Sequence, residues 1–71
     1  MKHKFELKGD YIELIKLLKA LGIAENGGHA QAIVMDQEVI LNGEIETRKR
    51  AKIRIGDIIR IAGDEYEIIS A

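Results

Sequence analysis

Apolar residues in the first half of the chain follow the spacing of one strand and two helices. Polar and apolar residues alternate over residues 3–7, which predicts a short strand. Leucines three and four positions apart predict a helix over residues 12–21, which ends at Gly22. Asn26 is a favourable N-cap, so a second helix is predicted to begin at Gly27-Gly28. The predicted buried faces are Leu14, Leu17, Leu18 and Leu21 in the first helix, and Ala30, Ile33 and Val34 in the second.

In the second half of the chain the periodicity changes to two, which is typical of strands. Asn42-Gly43 lies between apolar positions and favours a hairpin with a type I′ turn. Gly56-Asp57 and Gly63-Asp64 predict two further turns, with extended runs over residues 58–62 and 66–69. The order β-α-α followed by short strands predicts a single α+β domain over residues 1–71. Two packed helices would cover a small, mainly antiparallel sheet.

The amino-acid composition narrows the functional classes. The chain has 71 residues, 46% of them hydrophobic, and its only aromatic residues are Phe5, Tyr11 and Tyr66. These are too few for a nucleic-acid binder built on stacked bases. There is no cysteine for disulfide or thiolate chemistry, and no apolar run near the ~20 residues of a membrane helix. We therefore expect a soluble, cytoplasmic protein, with its oligomeric state open and a monomer favoured.

Positive charge is concentrated in residues 48–54, which we call the basic segment. It contains no acidic residue and five basic ones: Arg48, Lys49, Arg50, Lys52 and Arg54. Because the net charge of the whole chain is −1, the residues outside this segment sum to −6. Binding depends on the local field more than on total charge, so a segregated group of cations can still attract a polyanion.

On an extended basic segment, the four even-numbered cations would share one face of a strand. Alternate residues on a strand are ~6.6 Å apart, close to the spacing of phosphates along nucleic acid. Ala51, Ile53 and Ile55 would take the other face, with Lys49 as the exception. The alternative is a solvated edge strand whose charges prevent aggregation. Charge alone leaves both interpretations open.

The start of the second helix is another candidate anion site. Gly27-Gly28 leaves unpaired N–H groups accessible at the positive end of the helix dipole, beside His29 and Gln31. The alternative is a tight connection in which the turn itself requires glycine. Lys16 and Lys19 share one flank of the first helix, although most surface lysines have no ligand.

Catalytic and metal-binding patterns are absent. His3 and His29 lie in different predicted elements and form no ligand motif. No hydroxyl residue has a neighbouring base in a recognisable motif. Two carboxylate pairs flank turns and are expected to form a solubilising rim: Glu44/Glu46 and Asp64/Glu65. We predict no enzyme activity, no cofactor and no metal site.

Several landmarks, taken in order, resemble a known family. They are Leu17-Leu18-Lys19, Gly27-Gly28-His29-Ala30, Val39-Ile40-Leu41-Asn42-Gly43-Glu44, Thr47-Arg48, Lys52 and Gly56-Asp57. This set resembles the RNA-binding domain named after ribosomal small-subunit protein S4, also called the alpha-L motif. It is most similar to the small bacterial proteins that consist of this domain alone.

The resemblance implies that two helices and a hairpin form an L-shaped surface that grips structured RNA, with a link to the ribosome or translation. On this analogy Lys19, Gly28, Arg48 and Lys52 match positions on the binding face. The sequence departs from the family at several positions. Gln31 stands in place of a lysine, Gln37 in place of a glycine, Ile40 where a basic residue is frequent, and Arg50-Ala51 in place of Gly-Lys.

The functional prediction is a non-catalytic protein that binds structured RNA, ribosomal or transfer RNA, through phosphates and shape. The predicted RNA-binding residues are Lys16, Lys19, Gly27, Gly28, His29, Gln31, Arg48, Lys49, Arg50, Lys52 and Arg54. The alternative is a protein-interaction module that docks its basic segment on an acidic partner, since the rest of the chain would repel nucleic acid.

Overall fold

The computed structural model describes residues 1–71 and contains two helices and seven short strands. In chain order they are β1 (Lys2–Leu7), β2 (Ile12–Glu13), α1 (Leu14–Ala20), α2 (Gly27–Met35), β3 (Ile40–Leu41), β4 (Glu44–Ile45), β5 (Lys52–Ile53), β6 (Ile58–Ile61) and β7 (Asp64–Ser70). The helices pack on each other, and the predicted α+β class is confirmed. Neither helix is long enough to cross a membrane.

Helix α1 begins two residues later than the leucine spacing predicts. Ile12 and Glu13 are extended, because they pair with Ile53 and Lys52 in a separate two-stranded sheet, β2-β5. The helix then starts at Leu14, where its buried side begins. Local periodicity cannot reveal this boundary, since the strand partner lies about forty residues further along the chain.

Helix α2 begins at Gly27, as predicted, and ends at Met35 in a complete Schellman motif. The amide of Gln37 donates to the carbonyl of Val34 at 3.1 Å, and the amide of Glu38 donates to Ile33 at 3.4 Å. Gln37 has a φ of 60°, the left-handed conformation that glycine usually supplies at this position. The departure from glycine seen in the sequence therefore falls on a strained backbone position.

The larger sheet has five strands in the order β1-β7-β6-β3-β4. All neighbouring pairs are antiparallel except β1 and β7, the first and last strands of the chain, which run parallel. Asn42 and Gly43 have φ values of 50° and 88°, as the predicted type I′ hairpin requires. The β6-β7 turn is centred on Ala62-Gly63, one residue earlier than predicted, and Ala62 has a φ of 52°.

The core lies between the two helices and the inner face of the five-stranded sheet. Its fully buried large side chains are Leu14, Leu17, Leu18, Val34, Val39, Ile53, Ile59 and Ile68. The predicted buried faces of both helices are confirmed, except that Leu21 is only half-buried. Ile53 connects the smaller sheet to this core, so the residues flanking it are held against the helices.

Candidate nucleic-acid interface

The basic segment is not the single extended strand that its alternating charges suggest. Arg48 begins a turn closed by the Ala51 amide, which donates to the Arg48 carbonyl at 3.1 Å. Only Lys52 and Ile53 are paired as β5. A second turn follows, in which the Asp57 amide donates to the Arg54 carbonyl at 3.0 Å. The prediction of one flat row of four cations was therefore wrong.

The bend has a clear cause in the burial of alternate residues. Ala51 and Ile53 are buried, as the alternation predicts, but Ile55 is 50% exposed and does not continue that face. A strand extending beyond Ile53 toward Ile55 would carry this apolar face out of the core, and the chain turns there instead.

The first turn brings three cations around one open depression. Its volume is ≈ 500 Å³ and it is lined by Arg48, Arg50, Ala51 and Lys52. Lys49 and Arg54 are exposed but lie outside this lining. A compact group of cations replaces the predicted row. A compact group of cations can contact one phosphate from more than one side, whereas a row of cations would contact successive phosphates.

Helix α1 holds this turn in place through its own first amides. The Leu14 amide donates to the Ala51 carbonyl at 2.9 Å, and the Ile15 amide donates to the Lys49 carbonyl at 3.1 Å. These bonds satisfy two of the unpaired N–H groups at the helix start. The backbone of the basic segment is consequently fixed to the start of α1, while its charged side chains extend into solvent.

Glu46 is the one buried charged residue of the protein, with 9% of its surface exposed. Its Oε2 accepts hydrogen bonds from the Arg48 amide at 2.9 Å and from Arg48 Nε at 3.1 Å, and its Oε1 accepts from Arg48 Nη2 at 3.1 Å. The Arg48 side chain holds the pKa of Glu46 below its usual range, against the opposing effect of burial, and Glu46 raises the pKa of Arg48. The expectation that Glu46 belongs to a solubilising rim was wrong.

Tyr11 extends the cationic group beyond the basic segment. Lys52 Nζ lies 5.0 Å from the centroid of its ring and the Arg54 guanidinium lies 5.6 Å away, both within cation–π range. Tyr11 as a whole residue is 43% exposed. Sequence reasoning missed this residue, because the signal is the register of β2 with β5, which places Tyr11 beside Arg54.

At the start of α2, side chains cap part of the first turn. Asn26 Oδ1 accepts from the His29 amide at 2.9 Å, as predicted for an N-cap, and His29 Nδ1 accepts from the Glu25 amide at 3.2 Å. The amides of Gly27 and Gly28 remain without an intrahelical partner. His29 therefore takes part in capping the start of α2.

The two predicted arms of the site lie at opposite ends of α1. The basic segment is bonded to the start of α1, whereas the amides of Ile23 and Ala24, which lead into α2, both donate to the Leu18 carbonyl near its end. Seven residues of helix span about 10 Å. Lys16 lies 4.0 Å from Glu13 in an exposed ion pair, and Lys19 is exposed in the last turn. The two lysines thus lie along the helix that separates the arms.

The remaining titratable groups form no metal site. No group of three or more His, Cys, Asp or Glu side chains is close enough to hold an ion. Asp64 pairs with the N-terminal ammonium at 3.2 Å and with His3 at 3.6 Å, and its pKa is lowered, chiefly by the hydrogen bond from the N-terminus. This carboxylate stabilises the junction of β1 and β7. The sequence had predicted only a solubilising surface role for Asp64.

The protein has an alpha-L fold, a class of RNA-binding architecture. This fold consists of two packed helices and a type I′ hairpin, with the basic segment fixed to the first helix. A family model described as "S4 domain" matches residues 5–69. The chain therefore belongs to the S4 domain family, as the resemblance in its sequence indicates.

Individual relatives agree with this assignment. YbcJ of Escherichia coli strain K12 is 35% identical over 63 residues, which cover 89% of this chain and 90% of YbcJ. A Bacillus subtilis strain 168 protein named "Probable ribosome maturation protein RlbA" is 29% identical over 63 residues, 89% of each chain. The solution structure of YbcJ matches with a TM-score of 0.68 and 32% identity over 97% of this chain and 86% of that chain. It is described as revealing an alfaL motif involved in RNA-binding.

Proposed function

We propose that this protein binds structured RNA without catalysing a reaction, through phosphate contacts and shape. The observation that carries the proposal is the depression lined by Arg48, Arg50 and Lys52, fixed to the start of α1 in a fold of the S4 family. Compact cationic groups with fixed backbones suit RNA helices, whose recognition depends on phosphates, 2′-hydroxyls and groove shape.

The full proposed surface has two arms joined along α1. The basic segment contributes Arg48, Lys49, Arg50, Lys52 and Arg54, and the start of α2 contributes Gly27, Gly28, His29 and Gln31, with Lys16 and Lys19 between them. Ribosomal RNA is the favoured ligand over transfer RNA, because a Bacillus subtilis relative over most of this chain carries the name "Probable ribosome maturation protein RlbA". Sequence specificity should be weak, since Tyr11 is the one exposed ring of the basic arm.

The test is a salt titration of affinity for a ribosomal RNA hairpin. Replacing Arg48, Arg50 and Lys52 together with alanine should weaken binding at least about tenfold and lower the slope of log affinity against log salt by about two. The matched control removes three exposed cations of the five-stranded sheet, Lys2, Lys4 and Arg60. It changes the net charge equally, so an equal loss in both variants would refute the assigned surface.

An acidic protein partner is the competing candidate, favoured by the charge of −6 outside the basic segment. Affinity capture from lysate with and without ribonuclease separates the two. Partners lost on ribonuclease treatment support RNA as the ligand, and a stoichiometric partner that persists, with no RNA bound directly, supports the alternative.

A further inference from the structure

The buried position of Glu46 contradicts simple charge complementarity. A carboxylate beneath a surface for a polyanion repels that ligand, and burying it carries a desolvation cost. Every side-chain hydrogen bond that Glu46 accepts comes from one residue, Arg48. Its own amide donates to the Val39 carbonyl at 2.9 Å, which anchors the acid to the residue just before β3.

The contact with Glu46 orients the Arg48 side chain but uses only part of its hydrogen-bonding capacity. Nε–H and one N–H of Nη2 point to Glu46, while the other N–H groups of the guanidinium have no partner in the protein. The side chain of Arg48 is still 77% exposed, and it lines the cationic depression. A planar guanidinium held along one edge presents its opposite edge in a fixed direction, which matches the geometry of a phosphate.

Fixing the Arg48 guanidinium before RNA binds also lowers the entropic cost of binding. A free arginine side chain loses up to ~2 kcal/mol of rotamer entropy when it is immobilised on a ligand. An arginine already fixed by a carboxylate loses less, so the acid strengthens the contact indirectly although its charge opposes the ligand.

We propose that Glu46 is a positioning residue, which aims the free edge of Arg48 at one phosphate of the bound RNA. The proposal rests on the RNA-binding function proposed above. On this proposal the carboxylate of Glu46 strengthens the binding of RNA, although both are negatively charged. Whether neutralising Glu46 weakens or tightens RNA binding therefore decides the question.

The test compares Glu46→Gln with Glu44→Gln. Both remove one negative charge from the same hairpin, and Glu44 is exposed and forms no hydrogen bond or ion pair with Arg48. If only charge mattered, both variants would bind an RNA hairpin slightly tighter, by about twofold. Positioning predicts instead that Glu46→Gln weakens binding by roughly three- to tenfold, within the range of coupling between residues in contact. Tighter binding by Glu46→Gln would overturn the proposal.

A double-mutant cycle with Arg48→Ala separates positioning from a general structural effect. In the Arg48→Ala background, Glu46→Gln should no longer weaken binding, because there is no guanidinium left to orient. A loss of the same size in both backgrounds would show that Glu46 only supports the fold, and would overturn the proposal. If Arg48→Ala alone leaves affinity unchanged, the assigned RNA surface fails. If it weakens binding and Glu46→Gln does not, only the role of Glu46 fails.

Discussion

The side chain of Asn42 bonds to Asp57, which precedes the neighbouring strand β6, and its Nδ2 donates to Oδ1 at 3.0 Å. Asn42 Oδ1 accepts from the Ile58 amide at 2.8 Å, and Asp57 Oδ2 accepts from the Arg54 amide at 2.8 Å. The tip of the β3-β4 hairpin and the turn that ends the basic segment are therefore one hydrogen-bonded unit. Asn42 combines this bridge with a left-handed backbone that few other residues adopt easily.

Replacing Asn42 tests the bridge. Asn42→Ala should lower the free energy of unfolding by about 2 kcal/mol, because it removes two hydrogen bonds and strains the positive φ. Asn42→Gly loses the same bonds but accepts the backbone conformation, so it should cost less. Urea denaturation of both variants measures the difference. An Asn42→Ala variant as stable as the parent would contradict the role of the bridge.

Gln37 offers a substitution that should stabilise the protein. Gln37→Gly relieves the left-handed backbone in the Schellman motif of α2 and should raise the free energy of unfolding by about 0.5–1 kcal/mol. The control is Ala32→Gly, on the exposed side of the same helix, which should lower stability by about 1 kcal/mol. If thermal denaturation shows that both variants are less stable than the parent, the assignment of strain to Gln37 is wrong.

Stability should depend on pH through Glu46. Because its pKa is lower in the folded protein than its ordinary value of 4.5, the contact with Arg48 contributes fully above that value. The contribution is lost as pH falls through the folded pKa, since the acid must then take up a proton. The parent should therefore exceed Glu46→Gln in stability at pH 6 by more than it does at pH 3. Urea denaturation at both pH values checks this, and a difference independent of pH would be inconsistent with the ion pair.

Tyr11 should matter through the ring and not through its hydroxyl. Tyr11→Leu removes the cation–π contacts that hold Lys52 and Arg54 in place, worth ~0.5–1 kcal/mol at an exposed site. Ordering these two cations on RNA then costs more, so binding should weaken about two- to fivefold. Tyr11→Phe keeps the ring and should bind like the parent. Equal losses in the two variants would point to the hydroxyl instead.

Gln31 tests the arm at the start of α2 by a gain of function. Gln31→Lys restores the lysine expected from the family resemblance, so it should tighten RNA binding and steepen the salt dependence by about one phosphate contact. The matched control is Met35→Lys, which adds the same charge at the other end of the helix, where Met35 is 71% exposed. If both variants bind RNA more tightly by the same factor, affinity depends on total charge and not on the position of the added lysine.

Much of the fold could be predicted because its signals are local. The cap at Asn26, the Asn42-Gly43 hairpin and the leucine periodicity of α1 each depend on residues within a few positions of one another. The ordered motifs between Leu17 and Asp57 resembled the S4 family, and the family match confirms this. The start of α1 was misplaced because Ile12 and Glu13 pair with a distant strand.

The candidate site was less predictable, since its geometry depends on contacts between distant segments. Five cations in residues 48–54 are visible in the sequence, and they remain the centre of the proposed surface. Alternation alone could not show that burial ends after Ile53 and that the chain turns on both sides of it. Nor could it place Tyr11 beside Lys52, which requires the register of β2 with β5.

The sequence by itself determined the helices, the hairpin and the position of the positive charge, because short-range spacing and composition encode these features. Its ordered motifs also resembled the S4 family, to which the chain belongs. Only the tertiary structure decided that the cations surround a depression instead of forming a row, and that Glu46 lies buried against Arg48. The physical reason is that burial and hydrogen bonding depend on which segments meet in space. A carboxylate two residues before an arginine looks the same in sequence whether it is solvated or enclosed.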